Sequence, residues 1–296
     1  MPAALAAWGQ SCVLPPAADE VWGSPRGLLI LEGENRRPVL RGWGTNCRET
    51  FAVEAAALVT GARRVSVTGA AWLTDGRVAL ALSYDAAMGR SGRAVLVFRE
   101  MGKPVRLEIA CRALAALDGG AFLCLETGAE GVYSLAEYGA NSELRRRMPL
   151  PLRAGDDDPY APGRIGLPQL LAGLPAYWLW LPSREGLLEI PRDGQPGRWA
   201  RVGAPAQGRA LISFAARAGR LFALRPEANS DYERFDTRYR LHEKTLAGWR
   251  LAGEASYARG ARLAGPVANG VWVWDRASRR AFVAPTGEGA GPAIMK

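Results

Sequence analysis

The chain of 296 residues has one histidine, His242. Histidine-rich metal sites and the His-Glu-x-x-His zinc motif are thereby excluded. A Ser-His-Asp triad would have to use His242, which lies in the strand-like run RYRLHEKT; a packed or surface imidazole is the simpler reading. Lysine is almost as scarce. Lys103, Lys244 and Lys296 are the three, against 35 arginines. Lys103 precedes Pro104 and Lys244 follows Glu243, so no glycine-rich phosphate loop ends in Lys-Ser/Thr. The four cysteines, Cys12, Cys47, Cys111 and Cys124, form no Cys-x-x-Cys pair, and zinc-site spacing is missing. A chain of this length builds a core without disulfides. Four free thiols in a reducing compartment are therefore expected.

Long apolar runs are lacking too. The most apolar stretch, Leu167 to Pro182, is interrupted by Pro168, Gln169, Gly173 and Pro175, which argues against a membrane span. The first charged residue is Asp19 and the first basic one Arg26, so the basic start of a secretory signal is missing. The expectation is a soluble cytoplasmic protein with no membrane partner. Hydrophobic residues make up 48% and charged residues 23%, the balance of a folded chain. The net charge of +9 and pI near 9.8 meet one criterion for nucleic-acid binding. The arginines are scattered, however, and the longest basic run is Arg145-Arg146-Arg147. A dispersed solvated surface accounts for that pattern, so nucleic acid is not the expected partner.

The 35 glycines and 20 prolines punctuate short strands rather than helices. Val65 to Ala110 divides into four strand-like runs, the first two separated by Asp75-Gly76, a strong hairpin signal. The layout returns with turns at Asp118-Gly119-Gly120, Gly173-Leu174-Pro175, Ala218-Gly219 and Asn269-Gly270. A weaker copy has Cys12 to Leu14 as its first run and a turn near Ala18-Asp19. The last copy ends at Ala293 to Met295. Thr45 to Arg64 reads as an inserted segment whose FAVEAAAL is a short helix or the strand that closes the ring. The spacing is close to that of four-stranded propeller blades. The second run of each copy (VALAL, AFLCL, AYWLWL, LFAL, VWVW) is apolar at nearly every position, as in a strand covered on both faces. Blades stacked around an axis cover their central strands that way, whereas a one-sided sheet shows polar alternation. Trp178 and Trp180, like Trp272 and Trp274, pair at i, i+2 and face one side of a strand. Packing between blades is the reading preferred over stacking of bases or sugars.

The units resemble those of Trp-Asp-repeat and related β-propellers. Val65 to Ala110 covers one whole unit, and Trp274-Asp275 matches the Trp-Asp dipeptide, though on the second strand where that family has it on the third. The Gly-His dipeptide is absent. The expected fold is an all-β propeller of four-stranded blades, six by count with five or seven as alternatives, in one domain spanning 1–296 with inserted segments near 45–64 and 153–166.

Function is expected on the face that carries the longer connections, those between second and third strands and between blades. GDDDPYAPG and PEANSDYERFDTR are the segments singled out. Tyr160, Tyr232 and Phe235 would be aromatic anchors, with Asp156, Asp157, Asp158, Asp231, Arg234 and Asp236 setting the charge. The reading is a non-catalytic interaction or scaffolding module with no cofactor, whose partner is another protein in a multi-component bacterial complex. Two alternatives stand beside it: an enzyme holding a metal with carboxylates in the central channel, with Asp156 to Asp158 as calcium-type ligands, and a nucleic-acid-binding module.

Overall fold

The computed structural model describes residues 11–33, 37–86, 91–99, 102–128, 130–153, 168–173, 176–181, 186–201, 212–226, 236–245, 248–258 and 261–286. They form six four-stranded antiparallel sheets. The first strand in the chain, β1 (Ser11–Val13), joins the last sheet. Blade 1 is β2 (Ala18–Ser24), β3 (Gly27–Glu32), β4 (Val39–Gly44) and β5 (Glu49–Glu54). Blade 2 is β6 (Ala62–Trp72), β7 (Val78–Ala86), β8 (Ser91–Phe98) and β9 (Val105–Leu107). Blade 3 is β10 (Cys111–Ala116), β11 (Phe122–Thr127), β12 (Val132–Tyr138) and β13 (Leu144–Arg153). Blade 4 is β14 (Gln169–Leu171), β15 (Ala176–Leu181), β16 (Gly186–Pro191) and β17 (Arg198–Arg201). Blade 5 is β18 (Ser213–Arg217), β19 (Arg220–Pro226), β20 (Asp236–Thr245) and β21 (Gly248–Ala258). Blade 6 is β22 (Arg262–Val267), β23 (Gly270–Asp275), β24 (Arg280–Pro285) and β1. The fold is the expected six-bladed β-propeller.

The core is six separate apolar clusters, one at each junction between neighbouring blades. The second strands explain this. Leu29 and Leu31 of β3 pack towards blade 2, while Leu28 and Ile30 pack towards blade 6. On β11, Leu123 and Leu125 face blade 4, and Phe122 and Cys124 face blade 2. A strand gripped from both sides needs apolar residues at odd and even positions alike. Both tryptophan pairs are buried in this way: Trp178 and Trp180 against Ile212 and Phe214 of blade 5, Trp272 and Trp274 against Val21, Leu28 and Ile30 of blade 1. Arg145 to Arg147 lie on β13, the outer strand of blade 3. His242 lies half-buried on β20, the third strand of blade 5.

Three expectations are corrected. Cys12 to Leu14 does not open the first blade; Ser11–Val13 pairs with β24 as the outer strand of blade 6, so the two ends of the described chain close the ring in one sheet. Asp19 therefore sits inside β2, and the first hairpin turn is at Pro25-Arg26. Residues 45–64 are no insertion but the edge of blade 1: β5, a single 3-10 turn at Ala55–Leu58, and the start of β6. Ala293 to Met295 and the segment 154–167 lie outside the described residues. Finally, the cysteines are not free thiols. Cys12 is bonded to Cys47 and Cys111 to Cys124. The first bond ties β1 to the β4–β5 turn of blade 1 and so spans the ring closure; the second joins β10 to β11 within blade 3.

Candidate functional site: the axial channel

The innermost strands β2, β6, β10, β14, β18 and β22 surround a cavity of about 850 Å³ that all six blades line. Small residues recur on these strands and leave the axis open: Gly69-Ala70-Ala71, Ala113, Ala115-Ala116, Ala172-Gly173, Ala216 and Ala264-Gly265 all line it. The inner strands are stitched to one another about one repeat apart in sequence. Thr68 donates through its hydroxyl to Cys111 O at 2.9 Å, the Phe214 amide donates to Gln169 Oε1 at 3.0 Å, and the Leu263 amide to Ser213 Oγ at 2.7 Å. In the channel wall, Arg262 of blade 6 pairs with Glu20 of blade 1 at 3.2 Å and stacks its guanidinium 4.7 Å from the Trp274 ring.

The end of the channel that carries the first-to-second-strand turns is rimmed by arginine. Arg26, Arg145, Arg192 and Arg217 stand in its wall with Asp118 and Glu137. Several arginines on this face reach across to a carbonyl of the next blade. Arg26 Nη1 donates to Thr74 O at 3.3 Å and Arg77 Nη2 to Gly120 O at 3.0 Å. Arg146 donates to Arg192 O. Arg217 donates to Val267 O at 3.0 Å, to Thr286 Oγ1 at 2.8 Å and to Ala268 O. A carbonyl positions a guanidinium without cancelling its charge. Arg77 and Arg145 are different, being paired with Asp75 at 2.6 Å and with Glu143 at 3.0 Å. Tyr177 donates to Glu137 Oε2 at 3.2 Å beneath Arg192; burial, with Glu137 adding to it, pushes the phenol above its ordinary range.

Of the residues expected to form the site, Asp156, Asp157, Asp158, Tyr160, Asp231, Tyr232, Arg234 and Phe235 lie outside the described residues. Asp236 opens β20, where its backbone pairs with Ala258. The flanking strand ends at Arg153, Pro226 and Asp236 belong to the end of the propeller opposite the arginine rim, since alternate strands run in opposite directions. The sequence pointed to the channel only in the metal-enzyme alternative and singled out none of the residues that line it as a site. The recurrent Gly/Ala pairs in the first run of successive copies were the available signal. Among the described residues, no three His, Cys, Asp or Glu side chains converge as metal ligands, and no helix is long and apolar enough to cross a membrane.

Two paired carboxylates off the axis, Glu243 buried and Glu189 half-buried, contribute to the acid response. Glu243 on β20 is held by Arg220 and, at 2.6 Å, by Arg250; these bonds lower its pKa against the opposing effect of burial. Glu189 is lowered chiefly by Lys244, 2.8 Å away across the junction of blades 4 and 5. A carboxylate depressed in the folded state contributes stability that is present above its unfolded pKa and lost as pH falls through the folded one. The melting midpoint is thus expected to fall as pH drops below the ordinary glutamate range. Glu243→Gln should flatten part of that slope while lowering the midpoint at neutral pH. A variant with the parent's acid slope would show that the pair carries no such stability.

No protein-family model matches this chain, and no curated protein does. Solved structures do. A protein described as TolB from Agrobacterium tumefaciens is 12% identical over 90% of each chain, with a TM-score of 0.48. A Hadza microbial sialidase is 10% identical over 95% of this chain and 66% of its own, with a TM-score of 0.51. A glucose dehydrogenase is 14% identical over 95% of this chain and 100% of its own, with a TM-score of 0.45. Identities this low speak to the fold alone.

Proposed function

We propose that the chain is a non-catalytic protein-interaction propeller that receives a segment of its protein partner at the arginine-rimmed mouth of the channel. The observation that carries this reading is the open axis: about 850 Å³ walled by small residues from all six blades. A rigid ring of inter-blade bonds holds that mouth in shape, so little ordering would be needed on docking. The rim offers more arginines than carboxylates, which favours a partner segment that is polar and carries excess acid. The long-loop face, with Tyr232 and Phe235, is the competing docking surface.

Plugging the channel separates the two. Ala116 and Ala264 line it and are only half-buried. Ala116→Trp with Ala264→Trp should weaken binding of the protein that copurifies from the native cell by about thirtyfold or more, the cost of losing roughly 2 kcal/mol of contact. The melting midpoint should stay within a few degrees of the parent. If the plugged protein binds normally while Tyr232→Ala with Phe235→Ala weakens binding, the partner docks on the long-loop face and the channel reading fails.

A further inference from the structure

The two disulfides differ in what they hold and in who can reach them. β1 is only three residues long, and its ladder to β24 consists of Ser11↔Phe282, Cys12↔Ala281 and Val13↔Arg280. Cys12 is 1% exposed, packed in the junction cluster with Leu28, Trp272 and Trp274. Its partner Cys47 stands in the β4–β5 turn of blade 1, half-buried at the surface and in a left-handed conformation with φ of 61°. This bond links residues 35 apart and crosses the seam where the ring closes. Cys111 and Cys124 link residues 13 apart inside one blade, and both are enclosed, at 3% and 0% exposed.

We propose that Cys12–Cys47 is a redox latch on ring closure, opened selectively by an external dithiol while Cys111–Cys124 stays closed. A thiolate of the dithiol attacks the sulfur of Cys47, the half-buried member of the pair, and forms a mixed disulfide; the Cys12 thiolate leaves and takes up a proton. The dithiol's second thiol then attacks the mixed disulfide. Cys47 leaves as a thiol, and the reductant departs as a cyclic disulfide, two electrons having passed to the protein. Once untethered, β1 is held by a three-residue ladder and the packing of Cys12 and Leu14. Strand pairing this short is marginal on its own. Its release bares the outer edge of β24 and loosens the junction that also carries the Glu20–Arg262 pair in the channel. The latched ring is therefore the form suited to an oxidising compartment, where such bonds persist.

The test uses the full chain purified without reductant. On denaturation, iodoacetamide should add to none of the four cysteines. After brief native treatment with dithiothreitol, two adducts should appear, at Cys12 and Cys47. Amide exchange at Cys12 to Leu14 should then accelerate by about tenfold or more, as expected of a local opening, with blade 3 unchanged. Cys111→Ser with Cys124→Ser should keep this response, and Cys12→Ser with Cys47→Ser should show fast exchange without any reductant. Adducts before reduction, modification of all four cysteines together, or unchanged exchange at β1 after reduction would each overturn the latch.

Discussion

Trp272→Ala is expected to cost about 3–5 kcal/mol of folding stability, the range for emptying a large buried aromatic site. Trp272 is 0% exposed and packs between blades 6 and 1. Its indole N–H donates to Ser24 O across the seam at 3.3 Å. Removing the ring leaves a cavity at the one junction joined by both ends of the described chain, and it leaves the Ser24 carbonyl without that donor. The neighbours are poorly placed to collapse into the space, because β2 and β22 are already in backbone contact on the axis side. Leu144→Ala, on the outer strand of blade 3 at 45% exposed, should change stability by less than about 1 kcal/mol. Denaturant titration of both variants provides the comparison. A Trp272→Ala loss no larger than that of Leu144→Ala would mean that the seam does not carry the ring.

Blades 2 to 6 were legible in the sequence because their second strands are gripped from both sides. AYWLWL and VWVW admit no other economical reading, and Asp75-Gly76 forms the expected turn, with Gly76 at a φ of 91°. The first blade was misread because its inner strand ADEVWGS is not uniformly apolar. Glu20 faces the channel and pairs with Arg262, so the strand looks like turn and linker. Cys12-Val13, by contrast, looks like a strand and is one, but it belongs to the blade at the far end of the sequence. That assignment depends on closure of the ring, a long-range event with no local signature. The Cys12–Cys47 bond was hidden for the same reason. Cys12 meets Cys47 only because β1 pairs with β24 and blade 6 then meets blade 1. The channel could have been anticipated from glycine and alanine recurring on the first strands, since an axis lined by six strands stays open only where their inward side chains are small. The arginine rim could not, because it gathers residues from separate blades.

Gly265→Ala is expected to lower stability by about 3 kcal/mol or more, combining backbone strain with overpacking. Gly265 lies on β22 with φ of 154°, a conformation L side chains rarely adopt. A Cβ built there would stand 2.1 Å from the carbonyl oxygen of Gly23 on β2. That neighbour is backbone and cannot swing aside as a side chain could. Gly23 is itself confined, since its own Cβ would meet the Trp272 ring at 2.7 Å. The innermost strands of the first and last blades thus close glycine against glycine, with the tryptophan behind them. Gly119→Ala supplies the control: Gly119 has φ of 68° but nothing within 4 Å of its Cβ position, so only the conformational cost of about 1 kcal/mol remains. The difference between the two variants reads the contact across the seam. If they lose the same stability, β2 and β22 do not touch, and the ring is held shut by the outer strand and its disulfide rather than from the axis.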